Sequence, residues 1–212
     1  MSRIQGDCKE YELRHRELDG ILYRMCRKHP GHADIGGVHA KLWIIGRTYA
    51  TGIERKIESE GTQGSSMSQL AELMHRRHRS VDKWIRRLHG FREPLRVRML
   101  PDIFLAHGKL TLLIQGLLRR EACPRSFVSK YLHFHCRVVP IYDSLAASSL
   151  RARVRWNDDL ELCGVPAGAD SVYVRHVFRF MRLYGDLRQE RPGTTVKQAD
   201  RHLLEEYRRG KA

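Results

Sequence analysis

Apolar residues recur every three or four positions along most of this chain, which is the period of helices that bury one face. The clearest run predicts a single long helix from Val38 to Ile57, with Trp43 beside its buried stripe. A first helix is expected over Glu10 to His29, and a strongly apolar core helix over His107 to Arg120. The strict alternation that is typical of strands is nearly absent, so the pattern predicts an all-α fold.

The middle of the chain is predicted to hold further helices, separated by polar connections. Gly61 to Ser66 is rich in small polar residues and predicts a loop. Met67 to Leu88 keeps the helical period as one helix or two, because Ser80 and Asp82 suit the start of a second helix. Gly90 to Pro101 then predicts a connector.

Capping residues mark the helices that follow. Ser126 is the expected N-cap of a short, crowded apolar helix that contains Lys130. After Pro140 the chain turns, and Asp143 is the expected N-cap of a helix over Leu145 to Arg153. An acidic side chain is favourable there, since it meets unpaired amides at the positive end of the helix dipole.

Two more helices complete the pattern. An amphipathic run that includes Tyr173 and Tyr184 should end at Gly185, and Thr195 with Gln198 forms a capping box that opens the last helix. A chain of 212 residues is long enough to bury one sizeable core. We therefore expect a single all-helical domain over residues 1–212.

The charge of the chain indicates its partner. Thirty-nine Lys and Arg face 24 Asp and Glu, for a net charge of +15, and the basic residues are spread along the helices. Such a surface favours polyanions, with nucleic acid first among them. No window approaches the roughly 18 apolar residues of a membrane-spanning helix, so we expect no membrane partner. The expected location is cytoplasmic, associated with the nucleoid if the source is bacterial.

The spacing of the cysteine and histidine residues does not suit a metal site. Its five cysteines are scattered, without a C-x-x-C pair, and predict reduced thiols. His133 and Cys136 share one helix face while His135 points elsewhere, so the four convergent ligands of a structural zinc site are not expected. The cysteine spacing does not suit an iron–sulfur cluster either. We expect no metal and no cofactor.

A basic helix face is the candidate phosphate-binding surface. Arg76, Lys83 and Arg87 are spaced by seven and four, away from the apolar stripe of their helix, and Arg79 and Arg86 flank them. This face could contact phosphates, or it could be an ordinary solvated surface.

Lys130 and Asp143 are the candidate catalytic pair. Burial disfavours the charged form of an amine, and a neutral amine can attack a carbon such as the anomeric carbon of a sugar. A carboxylate held ionised at a helix start can stabilise positive charge on that sugar or orient a water. A buried lysine whose amine reaches solvent, with an N-cap aspartate beside it, explains the same two residues without any chemistry.

The helix with Lys130 and the turn Val139-Pro140-Ile141-Tyr142-Asp143 resemble the helix-hairpin-helix DNA glycosylases, most nearly the branch that resembles 8-oxoguanine DNA glycosylase. The resemblance implies a helical bundle with lobes at 1–120 and 121–212 around a cleft. It implies that Lys130 is a Schiff-base nucleophile and Asp143 the essential carboxylate.

The same resemblance implies excision of a damaged or modified base from double-stranded DNA, with possible lyase activity. The residues that would contact the extruded base are Tyr131, His133 and Tyr142. A backbone phosphate would meet Arg125 and Ser126 at the start of the lysine helix.

Two other functions stay open from the sequence. One is a non-catalytic nucleic-acid-binding module in which Lys130 contacts phosphate. The other is a helical regulatory or phage-defence protein whose charge serves a protein partner, which would show little salt-dependent affinity for DNA.

Overall fold

The fold is all-helical throughout the residues that the computed structural model describes, namely 16–49, 51–57, 65–119, 122–155 and 164–210. Helix α1 covers residues 16–28 of these ranges. The other helices are α2 (Ile35–Thr48), α3 (Ile53–Lys56), α4 (Ser66–Arg76), α5 (His78–Arg86), the 3-10 helix η1 (Val97–Met99), α6 (Leu100–Gln115), α7 (Arg125–His135), α8 (Ser144–Arg153), α9 (Ser171–Glu190) and α10 (Val196–Arg209). Extended pairing in the described ranges amounts to one isolated bridge, between Ile57 and Leu118.

One buried hydrophobic cluster joins these helices, from Leu22 on α1 to Leu203 on α10. Helix α2 packs on α4 and α7, α6 packs on α5 and α7, and α10 packs on α8 and α9. Helix α7 therefore packs between α2 and α6. Most of its side chains are buried, including that of Lys130.

The predicted helix from Val38 to Ile57 is wrong as a single element. Helix α2 ends at Thr48, and the chain restarts as the short α3 after Gly52, whose φ of 62° is left-handed. Glycine takes that conformation without the strain of a Cβ atom, so it permits a bend that the apolar spacing does not reveal. The bend matters for the site, because it turns the backbone at Tyr49 towards α7.

Two further boundaries differ from the sequence prediction. Helices α4 and α5 meet at Arg77, not at Ser80, and Asp82 pairs with His32 at 2.6 Å between Oδ1 and Nδ1 instead of capping a helix. Helix α6 begins at Leu100, before the predicted connector has ended. Pro101 is tolerated there because a first-turn residue needs no amide donor.

The caps of the C-terminal half are mostly as predicted. Asp143 caps α8 and Thr195 forms the capping box of α10. The prediction for Ser126 is wrong, because α7 starts one residue earlier, with Pro124 at the N-cap, and Ser126 lies in the first turn. The prediction that Gly185 ends its helix is also wrong, since α9 continues to Glu190. Parts of the predicted first helix and of the predicted loop at 61–66 lie outside the described residues.

Candidate functional site

Lys130 lies on α7 with its side chain almost fully enclosed. The residue is 6% exposed, and Nζ donates to the carbonyl oxygen of Tyr49 at 2.9 Å and to Oδ2 of Asp143 at 3.1 Å. One partner comes from the break between α2 and α3 and the other from the start of α8. The lysine therefore ties three helices together at one point.

Asp143 holds its position because it also caps α8. Oδ1 accepts from the backbone amide of Leu145 at 3.0 Å, which leaves Oδ2 to meet Lys130. Partial burial favours the neutral acid, but the charge and hydrogen bond of Lys130 and the amides of the helix start outweigh it, so the pKa of Asp143 is lower than its ordinary value. The pair is an ion pair with a fixed geometry.

A cleft of about 260 Å³ opens beside this ion pair. Its walls come from α1, the end of α2, α7, the start of α8, and α10. The charged residues that line it are Arg16, Asp19, Lys130, Asp143, Lys197, Asp200, Arg201, Glu205 and Arg208. The volume is just below the roughly 300 Å³ at which ligand pockets usually begin, so the cleft suits a group no larger than a small ring system.

Asp200 is one of the cleft residues that the sequence prediction missed. It is 3% exposed, and its Oδ1 has no hydrogen-bond partner among the described residues. Burial raises the pKa of Asp200 to about 6, with Asp143 and Asp19 adding to the shift and the two lysines Lys197 and Lys130 opposing it. A buried acid that titrates near neutral pH is the kind of group that functional sites collect.

Asp19 organises the other side of the cleft. Its Oδ1 accepts from the hydroxyl of Tyr49 at 2.5 Å, and its Oδ2 accepts from Arg201 at 3.0 Å. Lys197 Nζ lies 3.7 Å from Asp19 and 4.0 Å from Asp200. Acidic and basic groups therefore alternate across the cleft, and most of its charges have a partner of opposite sign.

A signal for Asp200 and Asp19 was present in the sequence. Asp200 falls on the same stripe as Val196, Ala199 and Leu203, and Asp19 falls three residues before the buried Leu22. A carboxylate on the apolar face of an amphipathic helix is rarely buried without a partner or a role. An acidic residue on an apolar helix face therefore identifies Asp19 and Asp200 as candidates for a site. The pattern does not reveal that the two residues line the same cleft.

Two of the predicted substrate contacts lie away from the cleft. Tyr131 is fully buried, and its hydroxyl is 2.5 Å from Nε2 of His32. His133 is fully buried as well, between the hydroxyl of Tyr23 at 2.6 Å and the carbonyl of Val139 at 2.8 Å. Lys130 and His133 are three residues apart, yet their side chains diverge because His133 is held in the core. The structure does not bring either ring to the cleft.

Tyr142 and Arg125 lie next to the cleft without lining it. Arg125 makes a bidentate ion pair with Asp170, at 2.6 and 2.9 Å, and its guanidinium stacks 5.2 Å from the centre of the Tyr142 ring. Asp170 caps α9, so Arg125 joins the starts of α7 and α9. Ser126 is half-buried beside it.

The other predicted phosphate contacts share one property, since Arg76, Arg79, Lys83, Arg86 and Arg87 are all exposed. They lie on α4, on α5 or directly after α5. Arg87 is partly neutralised, because its Nε donates to Asp102 at 2.7 Å. The five predicted basic side chains are therefore all accessible on the surface of the protein.

Within the described ranges no group of three or more His, Cys, Asp or Glu side chains is arranged to hold a metal ion. None of the helices in these ranges is both long enough and apolar enough to cross a membrane. No family model, no curated protein and no solved structure matches this chain.

Proposed function

We propose that this protein removes a damaged or modified base from DNA by cleaving the N-glycosidic bond, with Lys130 and Asp143 as its catalytic residues. One observation carries the proposal: the lysine Nζ and an aspartate oxygen lie 3.1 Å apart on the wall of a cleft. An amine nucleophile beside a carboxylate is the pair that this chemistry needs.

The reaction balances as a substitution at the sugar carbon C1′. Lys130 passes one ammonium proton to Asp143, and the neutral amine forms a bond to C1′ while the bond from C1′ to the base nitrogen breaks. The base leaves with the bonding electrons and takes up a proton. The bond between C1′ and the ring oxygen then breaks as one nitrogen proton passes to that oxygen, which leaves a hydroxyl group and the protonated imine. The proton that the base takes up is the one that Asp143 received from Lys130, and the carboxylate so restored stabilises the positive charge on the sugar-bound nitrogen.

The target nucleotide reaches such a cleft only if it leaves the helical stack. Extrusion costs a few kcal/mol, and least for a damaged or mismatched base. The net charge of +15 and the exposed basic side chains of α4 and α5 support a nucleic-acid partner, because they attract the phosphate backbone.

Borohydride trapping tests the proposal directly. Wild-type protein is incubated with duplexes that carry 8-oxoguanine, uracil, a modified pyrimidine or an abasic site, and imines are reduced to stable adducts. We expect an adduct with wild type and none with Lys130→Gln. Lys197→Gln is the matched control, because Lys197 lies in the same cleft and its variant should keep the adduct. Asp143→Asn keeps an oxygen for the cap of α8, so it tests the charge rather than the fold.

An adduct that survives in Lys130→Gln would overturn the assignment of the nucleophile. Absence of adduct and of base release on every substrate, with tight salt-sensitive binding retained, would favour a second function. That function is a non-catalytic nucleic-acid-binding module. The double pairing of Lys130 with Tyr49 and Asp143 favours it over catalysis, because both contacts also suit a structural ion pair, and phosphates would then meet the exposed basic side chains of α4 and α5.

A further inference from the structure

A second pocket lies directly behind the segment that carries Asp143. It has a volume of about 280 Å³ and is lined by Tyr142, Ala147, Leu150, Arg151, Val172, Arg175, His176 and Arg179. Ile141 and Asp143 line the catalytic cleft, whereas Tyr142 between them lines this pocket. Successive side chains of an extended segment point to opposite sides, so one thickness of backbone separates the two sites.

The two sites differ in their charge. Carboxylates and cations alternate around the cleft, but of the described residues that line the second pocket none is acidic and three are arginines. Arg175 and Arg179 are four residues apart on α9, and Arg151 faces them from α8. Like charges at this spacing destabilise a helix slightly, so the cluster costs the folded protein some stability.

The three arginines of the second pocket repel one another electrostatically. Burial and the charges of Arg151 and Arg175 lower the pKa of Arg179 below its ordinary value, although a guanidinium stays charged at neutral pH. Arg179 Nε donates to the carbonyl of Val154 at 3.2 Å, which fixes the side chain at the pocket. An anion placed between three such groups relieves the repulsion and gains charge-assisted hydrogen bonds.

His176 lines the pocket and is a buried polar residue with one ring nitrogen that has no hydrogen-bond partner among the described residues. The residue is 3% exposed, and its Nε2 donates to the carbonyl of Ile141 at 2.8 Å. Nδ1 therefore carries no proton in the neutral ring and is an acceptor, and it has no partner among the described residues.

We infer that Arg151, Arg175 and Arg179 bind a backbone phosphate of the nucleic acid, next to the nucleotide that enters the catalytic cleft. The inference rests on the proposed function, because it takes the ligand to be nucleic acid. The inference fixes the path of the nucleic-acid strand. Its sugar–phosphate backbone passes over protein residues 141–143, with the reacting nucleotide on one side of this segment and the bound phosphate on the other. None of these three arginines belongs to the basic face of α4 and α5.

Salt-dependent binding tests this site. A labelled DNA duplex is titrated with wild-type protein and with the double variant Arg151→Gln/Arg175→Gln, by fluorescence anisotropy at several salt concentrations. Each phosphate contact contributes about 0.9 to the slope of log affinity against log salt. We expect the variant to lose about 0.9 from that slope, the contribution of the one phosphate, and to bind at least about tenfold more weakly at low salt.

The control removes the same charge elsewhere. Arg98 and Lys109 are exposed on η1 and α6 and line neither the cleft nor the second pocket. The variant Arg98→Gln/Lys109→Gln should change the slope by less than half as much. Equal effects of the two double variants would overturn the inference, since they would show a general charge effect. Matching melting temperatures would show that all variants are folded.

Imine trapping at saturating protein separates the two proposals. If wild type forms the adduct but the arginine variant binds like the control, the phosphate site is wrong and the catalytic proposal stands. If no protein forms the adduct but the arginine variant alone loses the salt slope, the phosphate site stands and the catalytic proposal fails.

Discussion

Asp200 illustrates how one carboxyl group can link the site to stability. Its folded pKa of about 6 exceeds the ordinary value of 3.8, because burial favours the neutral acid. The favourable contribution of that neutral form is fully present below about pH 4 and is lost as the pH rises through about 6. Above that window, the buried charge costs about 3 kcal/mol relative to a residue with an unshifted pKa.

We therefore expect Asp200→Asn to stabilise the protein at pH 7.5, by up to about 3 kcal/mol, and by much less at pH 4.5. Urea unfolding at the two pH values measures the difference. Glu205→Gln is the control, because Glu205 lines the same cleft but is more exposed. An Asn variant that is less stable than wild type at both pH values would show that the ionised carboxylate is held by favourable contacts.

The candidate site could be predicted from the sequence only in part. Lys130 and Asp143 are 13 residues apart, and one turn brings them together, so local reasoning was sufficient to pair them. Asp19 and Asp200 are far apart along the chain and meet only because α1 and α10 pack beside α7. The ring of His133 lies outside the cleft for a related reason, since it is held by the hydroxyl of Tyr23 on α1.

At the scale of helices, Gly108 on α6 sets a close contact. A Cβ atom there would lie 2.3 Å from the carbonyl oxygen of Gly168 and 3.2 Å from Cα of Ala169, both in the backbone of the loop that leads into α9. That loop ends at Asp170, the partner of Arg125. Helix α6 and the start of α9 therefore approach as closely as they do because this position has no side chain.

Gly108→Ala should destabilise the protein by about 1 to 3 kcal/mol through overpacking, even though alanine is the better helix former. Gly116→Ala is the matched control on the same chain segment: its Cβ would meet nothing nearer than 3.8 Å, and its φ of −63° suits alanine. Urea unfolding of both variants checks the prediction, which fails if Gly108→Ala is as stable as Gly116→Ala.

Local rules predicted the existence of the helices better than their limits. The capping box at Thr195 and the N-cap at Asp143 depend on residues within three positions of each other, and both are confirmed. The break at Gly52, the early start of α6 at Leu100 and the continuation of α9 past Gly185 depend on packing between helices. Apolar periodicity carries no information about those contacts.

The whole molecule should be sensitive to acid because of its histidines. Among the described residues, burial is the first cause that lowers the pKa of five histidines: to about 4 for His32, His107 and His176, to about 3 for His133, and well below 6.5 for His135. These rings stay neutral in the folded state, whereas in the unfolded chain they bind protons below about pH 6.5.

Stability should therefore fall as the pH drops from about 6.5 towards 4, by several kcal/mol in total, against an overall stability of about 5 to 15 kcal/mol. The neutral form of Asp200 adds stability as the pH falls, but this one carboxyl group does not offset the loss from the five histidines. Urea unfolding at pH 7 and pH 5 measures the loss. His107→Phe, which keeps a ring against Tyr173, should reduce the pH dependence, and His89→Gln at an exposed position should not. Equal stability at both pH values would contradict this account.

The bend after α2 decides which substitutions can remove the backbone acceptor of Lys130. In an unbroken helix, the Tyr49 carbonyl would accept from the amide of Ile53, but here it accepts from Lys130. Every amino acid has that carbonyl, so no codon change at position 49 can delete this partner directly. The contact depends instead on position 52, where glycine permits the bend. Replacing the tyrosine would remove its hydrogen bond to Asp19 but leave the backbone acceptor of Lys130 in place, whereas replacing Gly52 would disturb that acceptor without touching either side chain.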